Sequence, residues 1–155
     1  MAQEHPDPQM GSEPLRALAE QACAAVSADR CTIYELDAAR GEIYSRVALG
    51  LPADLEVRLP TTRGVIGFVA RTGRPLRLHD AYNDPRFDPS TDQRSGYRTR
   101  SILCVPIFDP DGVMLGAIQV INKVGNGSFT EEDEAKLFDL GTSAAPLLNH
   151  HRHAA

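Results

Sequence analysis

The fold is decided by residues 101–123, which read SILCVPIFDPDGVMLGAIQVINK. Ser101 to Phe108 and Val113 to Ile121 are apolar at successive positions, which predicts strands covered on both faces. The residues between them, Asp109-Pro110-Asp111-Gly112, are those that tight turns favour. We therefore predict two central strands of one sheet, joined by a turn.

Gln119 interrupts the second of these apolar runs. A buried amide without a hydrogen-bond partner costs roughly 1–3 kcal/mol, so the fold has to supply a partner for it. A bound ligand would serve, and so would a backbone carbonyl on a neighbouring strand.

Segments upstream of these strands predict a helix and a hairpin. Apolar residues spaced three to four apart predict an amphipathic helix from Ser12, its N-cap, to about Ala28. Cys31 to Leu36 and Glu42 to Leu49 are rich in β-branched and aromatic residues, and the loop between them ends in glycine, which predicts a hairpin.

The middle of the chain predicts a short helix and a lid. Thr61 or Thr62 can cap a helix over Gly64 to Thr72, and Pro75 to Leu78 predicts a short strand. Residues 79–99 are polar and lack periodicity. Because most connections in compact domains are only ~4–6 residues long, so long a segment is expected to be functional or disordered, and we interpret it as a lid.

The last predicted element is a helix that begins after Thr130. Thr130 is a suitable N-cap, and the acidic residues 131–133 complement the positive end of the helix. Pro146 is expected to kink or end it. Lys123 and Asp133 offer an ion pair between the end of a strand and the start of this helix, which would contribute ~0–1 kcal/mol if exposed.

These elements predict an α+β domain, with an antiparallel sheet and the two terminal helices packed together on one of its faces. We divide the 155 residues into a disordered leader over 1–11, the folded domain over 12–149 and a flexible tail over 150–155. The histidines of the tail are interpreted as a frayed end, not a metal site, because no rigid scaffold holds them.

Charge and motif content exclude several functions. With 16 basic against 21 acidic residues, the net charge of −5 has the wrong sign for nucleic acid. The apolar runs are far shorter than the ~20 residues of a membrane span, and no secretory signal is recognisable, so we expect a cytoplasmic protein with no membrane partner. The chain contains no GxSxG, Walker A or HExxH motif, so we do not expect an enzyme. Three cysteines are interpreted as buried reduced thiols: Cys23, Cys31 and Cys104.

Two groups of residues are candidates for ligand contacts. Gly64-Val65-Ile66-Gly67 begins the short helix, where unpaired N–H groups favour an anion, although glycines at such a position serve packing equally often. The lid adds Asp92, Ser95 and Thr99, whose short polar side chains suit hydrogen bonds to a sugar or a base but are also ordinary in a solvated loop.

One spaced motif resembles a known family. Asn122-Lys123, five further residues, Phe129, three more, and then Asp133-Glu134 match the signature N-K-x(n)-F-x(3)-D-E of cyclic-nucleotide-binding GAF domains. Such domains occur in mammalian phosphodiesterases and in cyanobacterial adenylyl cyclases. Several other blocks resemble GAF sequences in the same order, among them Asp80-Ala81-Tyr82 and residues 96–106, so the resemblance covers about residues 12–148.

The resemblance implies a fold and a site. It implies a central antiparallel sheet of about six strands, with the terminal helices on one face and the ligand pocket and lid on the other. The residues at positions matching ligand contacts, for cAMP or cGMP, are Thr32, Val65, Ile66, Asp92, Ser95, Thr99 and Gln119. The residues of the signature, in which the Lys–Asp salt bridge braces the pocket without touching the ligand, are Asn122, Lys123, Phe129, Asp133 and Glu134.

The chain also departs from the family pattern. Phosphodiesterase relatives often have an aromatic and an acidic residue where this chain has Ala48 and Leu49, which removes a stacking surface and a base contact. The choice between cAMP and cGMP therefore stays open. We expect a sensor that signals as a homodimer through its terminal helices or through an output protein in trans. The alternative is a GAF module that dimerises or binds a protein without any nucleotide. A third possibility is the enzyme of this superfamily, free methionine sulfoxide reductase. It requires cysteines around the pocket, and because none of the three lies in the lid we do not expect it.

Overall fold

The computed structural model describes residues 12–52 and 56–148. Its four α-helices within this range are α1 Ser12–Val26, α2 Gly64–Thr72, α3 Ser90–Ser95 and α4 Glu131–Ala144. Its six strands are β1 Ala28–Asp37, β2 Glu42–Ala48, β3 Arg58–Pro60, β4 Leu76–Leu78, β5 Ile102–Phe108 and β6 Met114–Lys123. The predicted leader and tail lie outside the described residues.

The strands form one sheet in the order β3-β2-β1-β6-β5-β4, and every neighbouring pair is antiparallel. The β5–β6 hairpin is as predicted. The centre of the sheet, however, is β1 and β6, because β6 pairs with β1 on its other side, with Ile33 opposite Ile118. β5 lies one position further out and is still buried on both faces.

Side chains alternate between two cores along the central strands. Cys31 and Ile33 of β1 pack with α1 and α4 on one face. Tyr34 of β1 and Ala117 of β6 pack with α2 on the other face. The predicted α+β architecture, with both terminal helices on one face, is therefore confirmed.

The sequence-based assignments missed three local features. Strand β3 lies between the predicted hairpin and α2, where we predicted no element, and α3 lies inside the lid. Neither Thr61 nor Thr62 caps α2, because its N-cap residue is Arg63. The backbone N–H and the hydroxyl of Thr61 instead donate to the carbonyl of Gly41, at 2.9 and 3.2 Å.

The last helix follows the prediction closely. Thr130 and Asp133 form a capping box at its start. The helix ends at Ala144, and Pro146 lies in a single 3-10 turn over Ala145–Leu147. No helix within the described residues is long and apolar enough to cross a membrane.

Candidate ligand site

A cavity lies between the α2 face of the sheet, α2 itself and the lid. It contains about 740 Å³ of empty space, including its open mouth. Only about 80 Å³ of this space lies clear of the walls, less than the about 300–1,000 Å³ of typical ligand pockets, so a bound small molecule has to extend into the open mouth. The residues expected to contact a ligand all line this cavity: Thr32, Val65, Ile66, Asp92, Ser95, Thr99 and Gln119.

The N-terminus of α2 opens onto the cavity, and Gly64, Val65 and Ile66 are among the lining residues. Its N-cap residue, Arg63, has an extended backbone and makes no side-chain capping hydrogen bond. The first N–H groups of a helix have no partner within the helix, and the helix dipole adds positive potential there. This end of the cavity can therefore hold an anion.

One acidic residue lies close to that helix end. Asp88 lines the cavity, and its carboxylate lies 3.4 Å from the Nε atom of Arg63. The same carboxylate accepts a hydrogen bond from the backbone N–H of Ser90, at 3.0 Å. Arg63 thus offsets the negative charge that Asp88 adds near the uncapped N–H groups.

Asp92 and Thr99 are bonded to each other. The Asp92 carboxylate accepts hydrogen bonds from the hydroxyl and the backbone N–H of Thr99, both at 2.8 Å. A third hydrogen bond comes from the hydroxyl of Tyr82, at 2.7 Å. Because an ionised carboxylate can only accept hydrogen bonds, the Thr99 hydroxyl must be the donor to Asp92. To any other group this hydroxyl can act only as an acceptor.

Gln119 and Thr32 are paired opposite each other on β6 and β1. Gln119 is half-buried, so the prediction of a fully buried amide was wrong; the open cavity keeps it partly exposed. Its side chain makes no hydrogen bond to any other described residue. Ser95 is exposed, and its hydroxyl accepts a hydrogen bond from the backbone N–H of Tyr97, at 3.2 Å.

The cluster around Tyr97, at the end of the lid, was not predicted from the sequence. The guanidinium of Arg30, another cavity residue, lies 3.8 Å from the centre of the Tyr97 ring. The Tyr97 hydroxyl donates to Asp29 and accepts from the Nδ2 atom of Asn122, at 2.7 Å. Burial, followed by the hydrogen bond to Asp29, raises the pKa of Tyr97 to about 12. These contacts join residues far apart in sequence, so no local pattern indicates them.

Asn122, the first residue of the signature, fastens the lid to β6. Its side-chain oxygen accepts from the backbone N–H groups of Arg100 and Ser101, at 2.6 and 3.2 Å. Its Nδ2 atom also donates to the carbonyl of Arg98, at 2.9 Å. With Tyr97, four lid or lid-end groups are thereby tied to one buried side chain.

The remaining signature residues tie α4 to its surroundings. The Nζ atom of Lys123 lies 2.7 Å from the Asp133 carboxylate and donates to the carbonyl of Val26, at 2.9 Å. This ion pair is mostly buried, at 20% and 8% side-chain exposure, so it is not the exposed bridge that was one reading of the sequence. Phe129 is buried, and Glu134 pairs with Arg77 of β4 at 3.2 Å.

The strand cysteines lie on opposite faces of the sheet. Cys31 belongs to the helix-side core and Cys104 to the core beneath α2, and neither lines the cavity. Burial raises the pKa of both thiols, which disfavours the reactive thiolate. No group of three or more potential metal ligands occurs among residues 12–52 and 56–148.

The family model for the GAF domain matches residues 12–147. The chain belongs to the GAF family. The resemblance expected from the spaced motif is thus confirmed. GAF domains are small-molecule sensor modules, so the cavity of this GAF domain is its candidate ligand site.

Two curated relatives are phosphodiesterases. The probable 3′,5′-cyclic phosphodiesterase pde-5 of Caenorhabditis elegans is 34% identical over 137 residues, which cover 81% of this chain and 18% of the relative. The dual 3′,5′-cyclic-AMP and -GMP phosphodiesterase 11A of Takifugu rubripes is 36% identical over 127 residues, covering 74% of this chain and 14% of the relative. The chain therefore spans less than a fifth of either protein's length.

Solved structures share the fold. The GAF domain of a phosphoenolpyruvate-protein phosphotransferase from Coxiella burnetii superposes with a TM-score of 0.78 at 26% identity, covering 93% of this chain and 85% of that one. A type II free methionine-R-sulfoxide reductase from Thermoplasma acidophilum has a TM-score of 0.73 at 19% identity, covering 93% and 96%, which indicates a common fold alone.

Proposed function

We propose that this GAF domain binds a cyclic nucleotide, cAMP or cGMP, as a sensor that catalyses no reaction. One observation carries the proposal: the uncapped N-terminus of α2 opens onto the same cavity as the polar lid and the amide of Gln119, which is bonded to no other described residue. A cyclic nucleotide matches this arrangement, because it has an anionic phosphate at one end and a hydrogen-bonding base at the other.

The phosphate is assigned to the backbone N–H groups of Val65 and Ile66. Backbone donors at a helix start bind phosphate without requiring a basic side chain in contact with it. Arg63 supports this assignment without contacting the phosphate. Its ion pair with Asp88 reduces the repulsion between that carboxylate and an entering anion.

The base and ribose are assigned to Thr32, Gln119 and the lid. Gln119 can donate and accept at once, so it suits the edge of either purine. Thr99 offers only lone pairs, so the ligand group beside it has to be a donor, such as an amino or hydroxyl group. The phosphodiesterase relatives, which act on cyclic nucleotides by name, support this ligand class.

The signal is assigned to the terminal helices. α1 and α4 pack together on the face opposite the cavity, where a second copy or an output protein in trans can read their position. We place the protein in the cytoplasm, since reduced thiols such as Cys31 and Cys104 persist there.

A second candidate function is a partner-binding GAF module without a nucleotide. Its support is Ala48 and Leu49, which leave the cavity without a stacking ring at that point, together with Phe138, which is 43% exposed beside an apolar groove.

A thermal melt with cAMP, with cGMP and with 5′-AMP tests the proposal. A ligand at 100 times its Kd adds about 2.7 kcal/mol, which for this size shifts Tm by roughly 5–10 °C. We expect that shift with at least one cyclic nucleotide and none with 5′-AMP. Gln119→Ala should reduce it without lowering the Tm of the free protein. Protein freed of copurified ligand that melts unchanged with both cyclic nucleotides would overturn the proposal and favour the partner-binding alternative.

A further inference from the structure

Tyr82 lies in the lid but does not line the cavity. It belongs to a single 3-10 turn over Ala81–Asn83 and is 38% exposed. Its hydroxyl donates to the Oδ2 atom of Asp92, at 2.7 Å, and this hydrogen bond is the first cause of a raised Tyr82 pKa. Tyr82 belongs to a block that resembles GAF sequences, but it is neither part of the N-K-x(n)-F-x(3)-D-E signature nor one of the proposed ligand contacts.

Asp92 connects Tyr82 to the other end of the lid. It lies in α3, is 8% exposed and accepts both hydrogen bonds from Thr99. One carboxylate therefore joins the first turn of the lid, its central helix and its last residue. Its side-chain partners among the described residues belong to the lid, so these bonds need no ligand in order to form.

The ring of Tyr82 is held independently of its hydroxyl. It packs edge-on against Phe87, with ring centres 5.0 Å apart, and the guanidinium of Arg98 lies 4.1 Å from its centre. Removing the hydroxyl alone should therefore break one hydrogen bond and leave the packing in place.

We infer that Tyr82 is a positioning residue whose hydroxyl, through Asp92, latches the lid and sets the rate at which the ligand enters and leaves. This inference rests on the proposed function. Residues 87–99 supply a large part of the cavity wall, so a ligand exchanges faster when that segment opens than through the mouth alone. A latch made only of lid groups holds the lid in the empty and the occupied protein alike. Releasing it accelerates association and dissociation together.

The test compares Tyr82→Phe with the wild type by stopped-flow binding of fluorescent cAMP and cGMP analogues. A hydrogen bond to a charged group is worth about a tenfold change in an opening equilibrium at a partly exposed site. We expect both the association and the dissociation rate to rise about tenfold, with Kd changed less than about threefold. Thr142→Val is the control, because it removes a hydroxyl hydrogen bond from α4, far from the lid.

A rise in the dissociation rate alone would show that Tyr82 acts on the ligand directly, and unchanged rates would show that there is no latch. Amide hydrogen exchange at Thr99, whose N–H donates to Asp92, gives a second readout in protein without nucleotide. We expect exchange there to be about tenfold faster in Tyr82→Phe, and unchanged exchange overturns the latch. If the wild type binds neither analogue, the proposed function fails, while exchange at Thr99 still decides whether the latch exists.

Discussion

At Asn122 the backbone of β6 enters the left-handed region, with φ of 61°. Asparagine tolerates this conformation better than most residues with a side chain. The same residue supplies an amide that is bonded to the end of the lid through both its oxygen and its nitrogen. Backbone conformation and lid attachment are therefore two separate reasons for an asparagine here.

Substitution with glycine and with alanine separates these two reasons. Asn122→Gly keeps the backbone relaxed but removes the buried hydrogen bonds, so we expect a loss of about 2–4 kcal/mol in unfolding free energy. Asn122→Ala should lose about 1 kcal/mol more, because alanine is strained at this φ. Urea denaturation measures both variants. Equal losses in the two variants would show that the conformation contributes nothing.

The sequence predicted the signature residues better than it predicted the contacts of the lid residues. The spacing of the signature located Asn122 and Lys123, and their identity as signature residues was evident before any contact was known. The pairing of Asp92 with Thr99 was not evident, because both are ordinary lid residues until the fold brings their side chains within 2.8 Å. The sequence does not show that Asp92 and Thr99 already bond to each other, so it does not show how few hydrogen bonds they have left for a ligand.

Among the elements, α4 has the most charged start. Burial acts to raise the pKa of Asp133, but the hydrogen bonds from Lys123 and Thr130 outweigh it, so its pKa is lowered. A carboxyl whose pKa is lower in the folded protein stabilises the fold at pH values above its unfolded pKa, about 4. That contribution disappears as the pH falls through the folded pKa.

We expect Asp133→Asn to reduce the unfolding free energy by about 1–2 kcal/mol at pH 7, where the capping box and the ion pair are both intact. The difference from wild type should shrink below pH 4, because the wild-type carboxyl also loses its charge there. Denaturation at a series of pH values measures this. Glu132→Gln, an exposed carboxyl on the same turn, is the control and should change stability by less than about 0.5 kcal/mol. A stability difference between wild type and Asp133→Asn that stays constant down to pH 2 would contradict a role for the charge of Asp133.

Most elements were predictable, including the three-residue β4, but β3 and α3 were not. The start of α4 follows from a capping threonine, and the range of α2 was predicted although neither threonine expected to cap it does so. β3 is three residues long and exists because Ile43 and Tyr44 of β2 offer it partners, which no pattern within residues 58–60 reveals. The missing side-chain cap of α2 also results from a contact distant in sequence, because Thr61 donates a hydrogen bond to the carbonyl of Gly41.

At the scale of the whole molecule, a buried ion pair between β1 and β2 joins the sheet to the end of the described chain. A register shift in the β1–β2 pairing leaves Arg46 as an extra residue on β2. Its guanidinium lies 2.5 Å from the Glu35 carboxylate and donates to the carbonyl of Leu147, at 3.2 Å. Glu35 is 1% exposed, so its charge depends on being matched inside the protein.

We expect Arg46→Met to lower the unfolding free energy by about 3 kcal/mol, because it leaves a buried carboxylate without its cation. The double variant Glu35→Leu/Arg46→Met should recover most of that loss, since removing both charges ends the imbalance. Chemical denaturation of the wild type, both single variants and the double variant closes the cycle. A double variant as unstable as the single one would place the loss in packing and not in charge.

The alternation along β1 and β6 divides the molecule into two surfaces that can change separately. Thr32, Gln119 and Ile121 line the cavity, while Ile33 and Ile118, next to them along the same strands, belong to the helix-side core. New ligand preferences can accordingly be selected from libraries randomised at alternate positions of two strands, with the surface that carries the output left untouched. One scaffold can in this way acquire many chemical inputs while it keeps a single means of reporting them.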